Sequence, residues 1–172
     1  MLKRIKTRKF WVTLIRDGLL LMAFFYAVNL YQSRNVTEQI PQQMFDLQAV
    51  LISGEPVNIK QSLNKAPLLI YFWGSWCPLC SFTSSAITDL SKQYQVLTIA
   101  LSSGNQQQVK DYLLENNYNF PVLNDPDGKI SQLWGVMATP SIFIINSRGE
   151  ISSVTIGATT AIALRFKLWL AS

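Results

Sequence analysis

Tyr71-Phe72-Trp73-Gly74-Ser75-Trp76-Cys77-Pro78-Leu79-Cys80 is the stretch whose reading decides the fold of this chain. Its apolar half belongs to a longer run, Leu68 to Trp73, of the kind that a strand buried on both faces requires. A C-x-x-C pair follows where the strand gives way to helical spacing, and in that context two cysteines read as a redox dithiol. A cysteine at a helix N-terminus meets unpaired backbone N–H groups and the positive end of the helix dipole, both of which favour thiolate over thiol. Cys77 is therefore expected to be the exposed, more acidic nucleophile. Cys80, one turn inward, is expected to be buried and placed to attack a mixed disulfide formed at Cys77. Pro78 suits the first helical position, where a missing N–H has no partner to lose.

Other chemistry competes for the same two sulfurs. A structural zinc site needs four N or S ligands, and the chain offers two cysteines and no histidine. A structural staple remains open, although a disulfide closing so short a loop restrains few unfolded conformations. So does Cu(I) binding, since soft thiolates hold that ion, here with a bare two-sulfur donor set. Catalytic turnover of a disulfide substrate, as against tight binding of one Cu(I), separates these readings. A second element favours redox chemistry. Ala138-Thr139-Pro140 precedes the apolar run Ser141 to Ile145, and a proline at a strand's first position costs no ladder bond. Beside a C-x-x-C pair it predicts a cis Thr139–Pro140 bond and an edge free to pair with a substrate backbone.

Outward from the motif, two short alternating runs flank Ser53-Gly54 and predict a hairpin. Helical spacing from about Cys80 to Tyr94 puts Phe82, Ala86, Ile87 and Leu90 on one face. Val96 to Leu101 predicts a second buried strand. Val109, Tyr112, Leu113 and Leu114 mark a helix ending near Asn116-Asn117, and Asn124 to Gly128 reads as a turn. Ser141 to Ile145 is a third strand, a turn at Asn146 to Gly149 leads into Glu150 to Ile156, and residues 158–171 form a closing helix. Its Ile162, Leu164, Phe166 and Trp169 are expected to cover the sheet. Strands alternating with helices and ending in a hairpin and a helix describe an α/β domain with a mixed sheet.

The N-terminal third differs in kind. Residues 1–34 hold seven Lys and Arg against Asp17, a net of +6, so the overall +5 leaves the remainder near −1. The basic pI thus belongs to the N-terminus, and nucleic-acid binding, which needs cations across a folded surface, is excluded as a partner class. Phe10 to Tyr31 is apolar apart from Arg16 and Asp17 and, as a helix of about 33 Å, would cross a bilayer. Lys3 to Lys9 lie before it, so the positive-inside bias keeps residues 1–9 cytoplasmic and sends the domain outward. No small-x-small pattern closes the run, which favours an uncleaved anchor over a signal peptide. Residues 32–43 are polar and read as a tether, with the domain spanning 44–172.

YFWGSWCPLC (residues 71–80), followed by ATPSIFII (138–145), resembles the thioredoxin superfamily, and the GEPVNI lead-in (54–59) is similar to its TlpA-like, membrane-tethered branch. More narrowly, LIRDGLLLMAFFYAVNLYQSRN (14–35), FTSSA (82–86), LSSG (101–104), FPVLNDPDG (120–128) and LRFKLWLA (164–171) resemble the suppressor for copper sensitivity protein D group. The resemblance implies a thioredoxin-like fold, a central mixed β-sheet flanked by helices and preceded by one transmembrane helix. It also implies a periplasmic thiol:disulfide oxidoreductase on the bacterial inner membrane, with a link to copper tolerance. Cys77 would attack, Cys80 resolve and Pro140 be the cis-proline, with Trp76, Pro78, Leu79 and Thr139 against the substrate. Neither cofactor nor metal is implied. The expected partners are protein thiol or disulfide clients and a membrane electron donor or acceptor; a reductant for apocytochrome c maturation is the alternative within the class. One departure stands out. Where thioredoxins carry a buried aspartate, six residues before the first cysteine, this chain has Tyr71, and Ser81 to Ser84 contain no glutamate. A water, a hydroxyl or a more distant group must then accept the proton of Cys80.

Overall fold

A computed structural model describes residues 11–13, 15–23, 48–63 and 66–172. The chain divides into two compact units, Met1–Asn35 and Val36–Ser172. In the first, residues 11–13 and 15–23 are helical, with exposed Trp11, Val12, Ile15, Leu19, Leu20, Leu21 and Met22, and Arg16 paired to Asp17 at 2.9 Å. Among the described residues no helix is long and apolar enough to cross a membrane. The expected tail and tether, together with Phe10, Leu14 and residues 24–31 of the expected span, lie outside the described residues.

The second unit is an α/β sandwich around five strands. β1 (Gln48–Val50) and β2 (Pro56–Asn58) form the expected hairpin as a separate antiparallel pair. α1 (Ile59–Leu63) follows, then β3 (Leu68–Trp73), α2 (Pro78–Leu90), β4 (Gln95–Leu101), α3 (Gln106–Glu115) and β5 (Val122–Asp125). α4 (Lys129–Leu133), β6 (Ser141–Ile145), β7 (Ile151–Ile156) and α5 (Ala161–Leu170) complete it. The sheet order is β5-β4-β3-β6-β7, parallel between β3, β4 and β5 and antiparallel from β3 to β6 and β6 to β7.

β3 lies at the centre and is buried at all six positions, as its unbroken apolar run predicts. Because successive side chains point to opposite faces, it feeds two cores. Leu69, Tyr71 and Trp73 pack with Ile87 and Leu90 of α2, Val109 and Leu113 of α3, and Leu164 and Leu168 of α5. Leu68, Ile70 and Phe72 pack on the other side with Ile59 and Leu63 of α1 and with Trp134 and Phe143.

Three expectations change here. In α5 only Leu164, Leu168 and the following Ala171 are buried, while Ile162, Phe166 and Trp169 face outward. A four-residue spacing carries one narrow stripe inward, and the bulkier side chains fall outside it. In α2 the inward face is Cys80, Thr83, Ser84, Ile87 and Leu90, so Phe82 is exposed. Leu114 likewise points away from the core of α3.

Candidate functional site

The dithiol sits where β3 turns into α2. Gly74 leaves room for the indole of Trp76, which folds back over it: a Cβ there would lie 2.6 Å from the ring. The same indole donates to the carbonyl of Leu101 at 3.1 Å, tying the turn to the end of β4. Ser75 N–H donates to Ser103 Oγ at 2.9 Å, a second tie to the same loop. The N–H of Cys77 then donates to Gly74 O at 3.1 Å, and that of Cys80 to Cys77 O at 3.1 Å.

Cys77 is the N-cap of α2, extended at φ −98° and ψ 107°, and no side-chain oxygen caps this helix. Pro78 occupies the first turn, where its absent N–H costs nothing. The two sulfurs are joined as a disulfide across three positions of sequence, with their Cα atoms 5.3 Å apart. Cys80 is fully buried, and Cys77, expected to be exposed, is only 5 % accessible. Neighbouring backbone covers it: Cys77 Sγ lies 3.6 Å from the carbonyl oxygen of Thr139. The Thr139–Pro140 bond is cis, and Pro140 is buried at the start of β6. Sequence positions more than sixty residues apart thus meet at one sulfur.

Each of the sequence-derived site residues falls on this constellation or its rim. Trp76 and Leu79 are exposed beside the disulfide, Thr139 is half-buried, and Phe82 on α2 and Met137 before the cis bond add further exposed apolar side chains. The tyrosine in place of the usual aspartate is the residue whose part in the site the motif alone left unread. Tyr71 is fully buried, donates its O–H to Cys80 O at 3.1 Å, and lies 3.1 Å from Ser84 Oγ. Burial pushes its phenol above the ordinary tyrosine range, against the opposing hydrogen bond from Ser84. Tyr118 donates to the next carbonyl along, Ser81 O, at 3.1 Å. The alternation of β3 puts Tyr71 on the face that α2 covers, but nothing in the sequence marks the main-chain carbonyl it bonds.

Residues 36–154 match the model of the AhpC/TSA family. A thioredoxin-like protein of Haemophilus influenzae is 34 % identical over 159 residues, covering 92 % of this chain and 95 % of its own. Sporulation thiol-disulfide oxidoreductase A of Bacillus subtilis is 32 % identical over 121 residues, 66 % of this chain and 72 % of its own. Among solved structures, StoA from Bacillus subtilis superposes with a TM-score of 0.61 at 29 % identity, covering 70 % of this chain and 94 % of that one. With its C-x-x-C pair at a strand-to-helix turn on a thioredoxin-like sheet, the chain belongs to the AhpC/TSA family, among relatives that are thiol-disulfide oxidoreductases.

Proposed function

We propose that the chain exchanges disulfides with protein clients on the outer face of a bacterial inner membrane, with Cys77 as the attacking and Cys80 as the resolving cysteine. One observation carries the assignment of roles: Cys77 caps the N-terminus of α2, whereas Cys80 lies within its first turn and is sealed from solvent. In the reducing direction, the Cys77 thiolate bonds to one client sulfur as the client disulfide breaks, and the departing client thiolate takes a proton from solvent. Cys80, deprotonated, then attacks Cys77 Sγ. The Cys77–Cys80 bond forms, the mixed disulfide breaks, and the second client sulfur leaves as a thiolate. The client gains the two electrons that the dithiol loses, and the reverse sequence oxidises a client dithiol. Trp76, Pro78, Leu79 and Thr139 line the approach, and Pro140 sets the backbone edge against which the client lies.

The anchor and location rest on the sequence. Residues 10–31 span the membrane behind a cytoplasmic tail at 1–9, and residues 32–43 tether a periplasmic domain at 44–172. The resemblance to the copper-sensitivity group makes copper stress the setting in which clients arise, and a membrane dithiol or disulfide partner resets the active pair. Client trapping tests the central reading. Cys80→Ala should accumulate mixed disulfides at Cys77, and Cys77→Ala should not; equal adducts in both variants would leave the pair a binding site or a staple. Membrane fractionation, with recovery of the uncleaved N-terminus, tests the anchor.

A further inference from the structure

We propose that Tyr71, paired with Ser84, is the positioning residue for the resolving cysteine: two neutral hydroxyls fix the backbone of Cys80 against β3 in place of a buried carboxylate. This rests on the reading of Cys80 as the resolving cysteine. The geometry assigns the protons. A phenol has one, and Tyr71 donates it to Cys80 O; the Ser84 hydroxyl therefore donates to the phenol oxygen. Both side chains lie in the core, and Ser84 stands one turn beyond Cys80 on the inward face of α2. Tyr118, donating to Ser81 O, holds the adjacent carbonyl in the same manner. Two consecutive carbonyls at the start of α2 are thus gripped from outside the helix.

The contact is to the carbonyl of Cys80 and not to its sulfur, so the pair governs where the sulfur is rather than taking its proton. The surroundings agree. The titratable groups acting on Tyr71 are phenols, Tyr112 of α3 and Tyr118 beyond it. The strands flanking β3, β4 and β6, carry no charged residue. α5, packed on α2, brings Arg165 toward Asp89 at the opposite end of that helix. Among the described residues the one buried carboxylate is Asp125, held by the N–H groups of Ile130 and Ser131 and the Ser131 hydroxyl. With its phenol held protonated by burial, Tyr71 remains a donor throughout the range in which thiols titrate.

The test separates the two chemical steps. Fully reduced protein is mixed with 5,5′-dithiobis(2-nitrobenzoate), whose disulfide releases one coloured thiolate when Cys77 attacks and a second when Cys80 closes the internal disulfide. Tyr71→Phe keeps the ring and its edge contact with Phe120 while removing the hydroxyl. It should slow the second release about fivefold, the scale of one buried neutral hydrogen bond, and leave the first unchanged. Ser84→Ala should slow the same phase about twofold. Both pH profiles should stay parallel to the wild type, whereas Tyr71→Asp should add a step by placing a titrating carboxylate beneath the sulfurs. Unchanged second phases in Tyr71→Phe and Ser84→Ala overturn the proposal, as does equal slowing of both phases, which marks general loosening. If Tyr71→Phe does not fold, Ser84→Ala decides alone. The two single-cysteine variants distinguish the underlying reading: release from Cys80→Ala at the rate of the wild-type first phase, with far slower release from Cys77→Ala, upholds Cys77 as the attacker and Cys80 as the resolver whatever Tyr71 does, and faster release from Cys77→Ala overturns that reading itself.

Discussion

The N-termini of α2 and α3 begin alike in backbone terms and end up serving different purposes. At α3, Asn105 Oδ1 accepts from the N–H of Gln108 at 3.0 Å, and Gln108 Oε1 accepts from the N–H of Asn105 at 2.8 Å, a complete reciprocal cap. Oxygen also closes the other helices of the domain. Asn58 receives Gln61 N–H at α1, Asp125 receives Ile130 and Ser131 at α4, and Thr160 receives Ala163 at α5. Among the described residues of the domain, α2 is the helix that opens on a sulfur, and no side-chain oxygen serves its first turn. A capping oxygen contributes about 1 kcal/mol to a helix. α2 gives that up and keeps its N–H groups for whatever charge the sulfur acquires, which places stability at one helix start and reactivity at the other.

The sharpest way to break this contrast is Cys77→Ser. It should abolish disulfide exchange, measured by insulin reduction, and yet be more stable than Cys77→Ala by about 0.5–1 kcal/mol in denaturant melts, because an oxygen now caps α2. Equal stabilities would mean that the start of α2 does not behave as an open cap. Asn105→Ala is the mirror experiment. It should cost about 1 kcal/mol of stability while turnover stays within about twofold of wild type, and a large loss of activity would show that the two helix starts are coupled.

A smaller effect concerns pH. The folded-state pKa of Tyr71 is raised above its ordinary 10.0, so its contribution is fully present below pH 10 and is lost as pH rises past it, since only the unfolded phenol ionises there. Tyr71→Phe should therefore flatten the alkaline fall in stability, seen as melting temperatures converging on those of wild type between pH 10 and 12. The smallest effect belongs to the exposed Lys92–Asp89 pair at 2.8 Å. Its hydrogen bond and charge hold the Asp89 carboxyl below the ordinary value of 3.8. Its contribution exists above that value and is lost as pH falls through the folded pKa, so Asp89→Asn should differ barely from wild type at neutral pH and not at all in strong acid or high salt.

The sheet was legible wherever its strands formed unbroken apolar runs, as in β3, β4 and β6, and the hairpin was legible in Ser53-Gly54. β5 was not. Its four residues, Val122 to Asp125, run directly into a Pro-Asp-Gly turn, so the strand read as part of the turn. α1 and α4 span five residues each, too short for a helical period to emerge. Phe82 misled for a chemical reason. The inward face of α2 at that level meets the hydroxyl of Tyr71 through Ser84, with Thr83 buried beside it, and a search for apolar periodicity selects the phenylalanine on the wrong side. Of the site, the cysteines and the proline could be read from their motifs. The phenols of Tyr71 and Tyr118 could not, because their partners are main-chain carbonyls that leave no mark in a sequence.

The register of β3 against β6, Leu68 opposite Ile145 and Phe72 opposite Ser141, has a consequence for the order in which the chain matures. The two cysteines are near neighbours and can close their bond in a chain that has hardly begun to fold, and with no third cysteine there is no incorrect internal pairing to undo. The wall on which a client would lie arrives later, because closing a loop of some seventy residues carries an entropic cost that short-range pairing avoids. With an external disulfide to take up the two electrons, a nascent chain can therefore hold an oxidised pair before it holds a docking edge. Its sulfur chemistry matures early and its selectivity late.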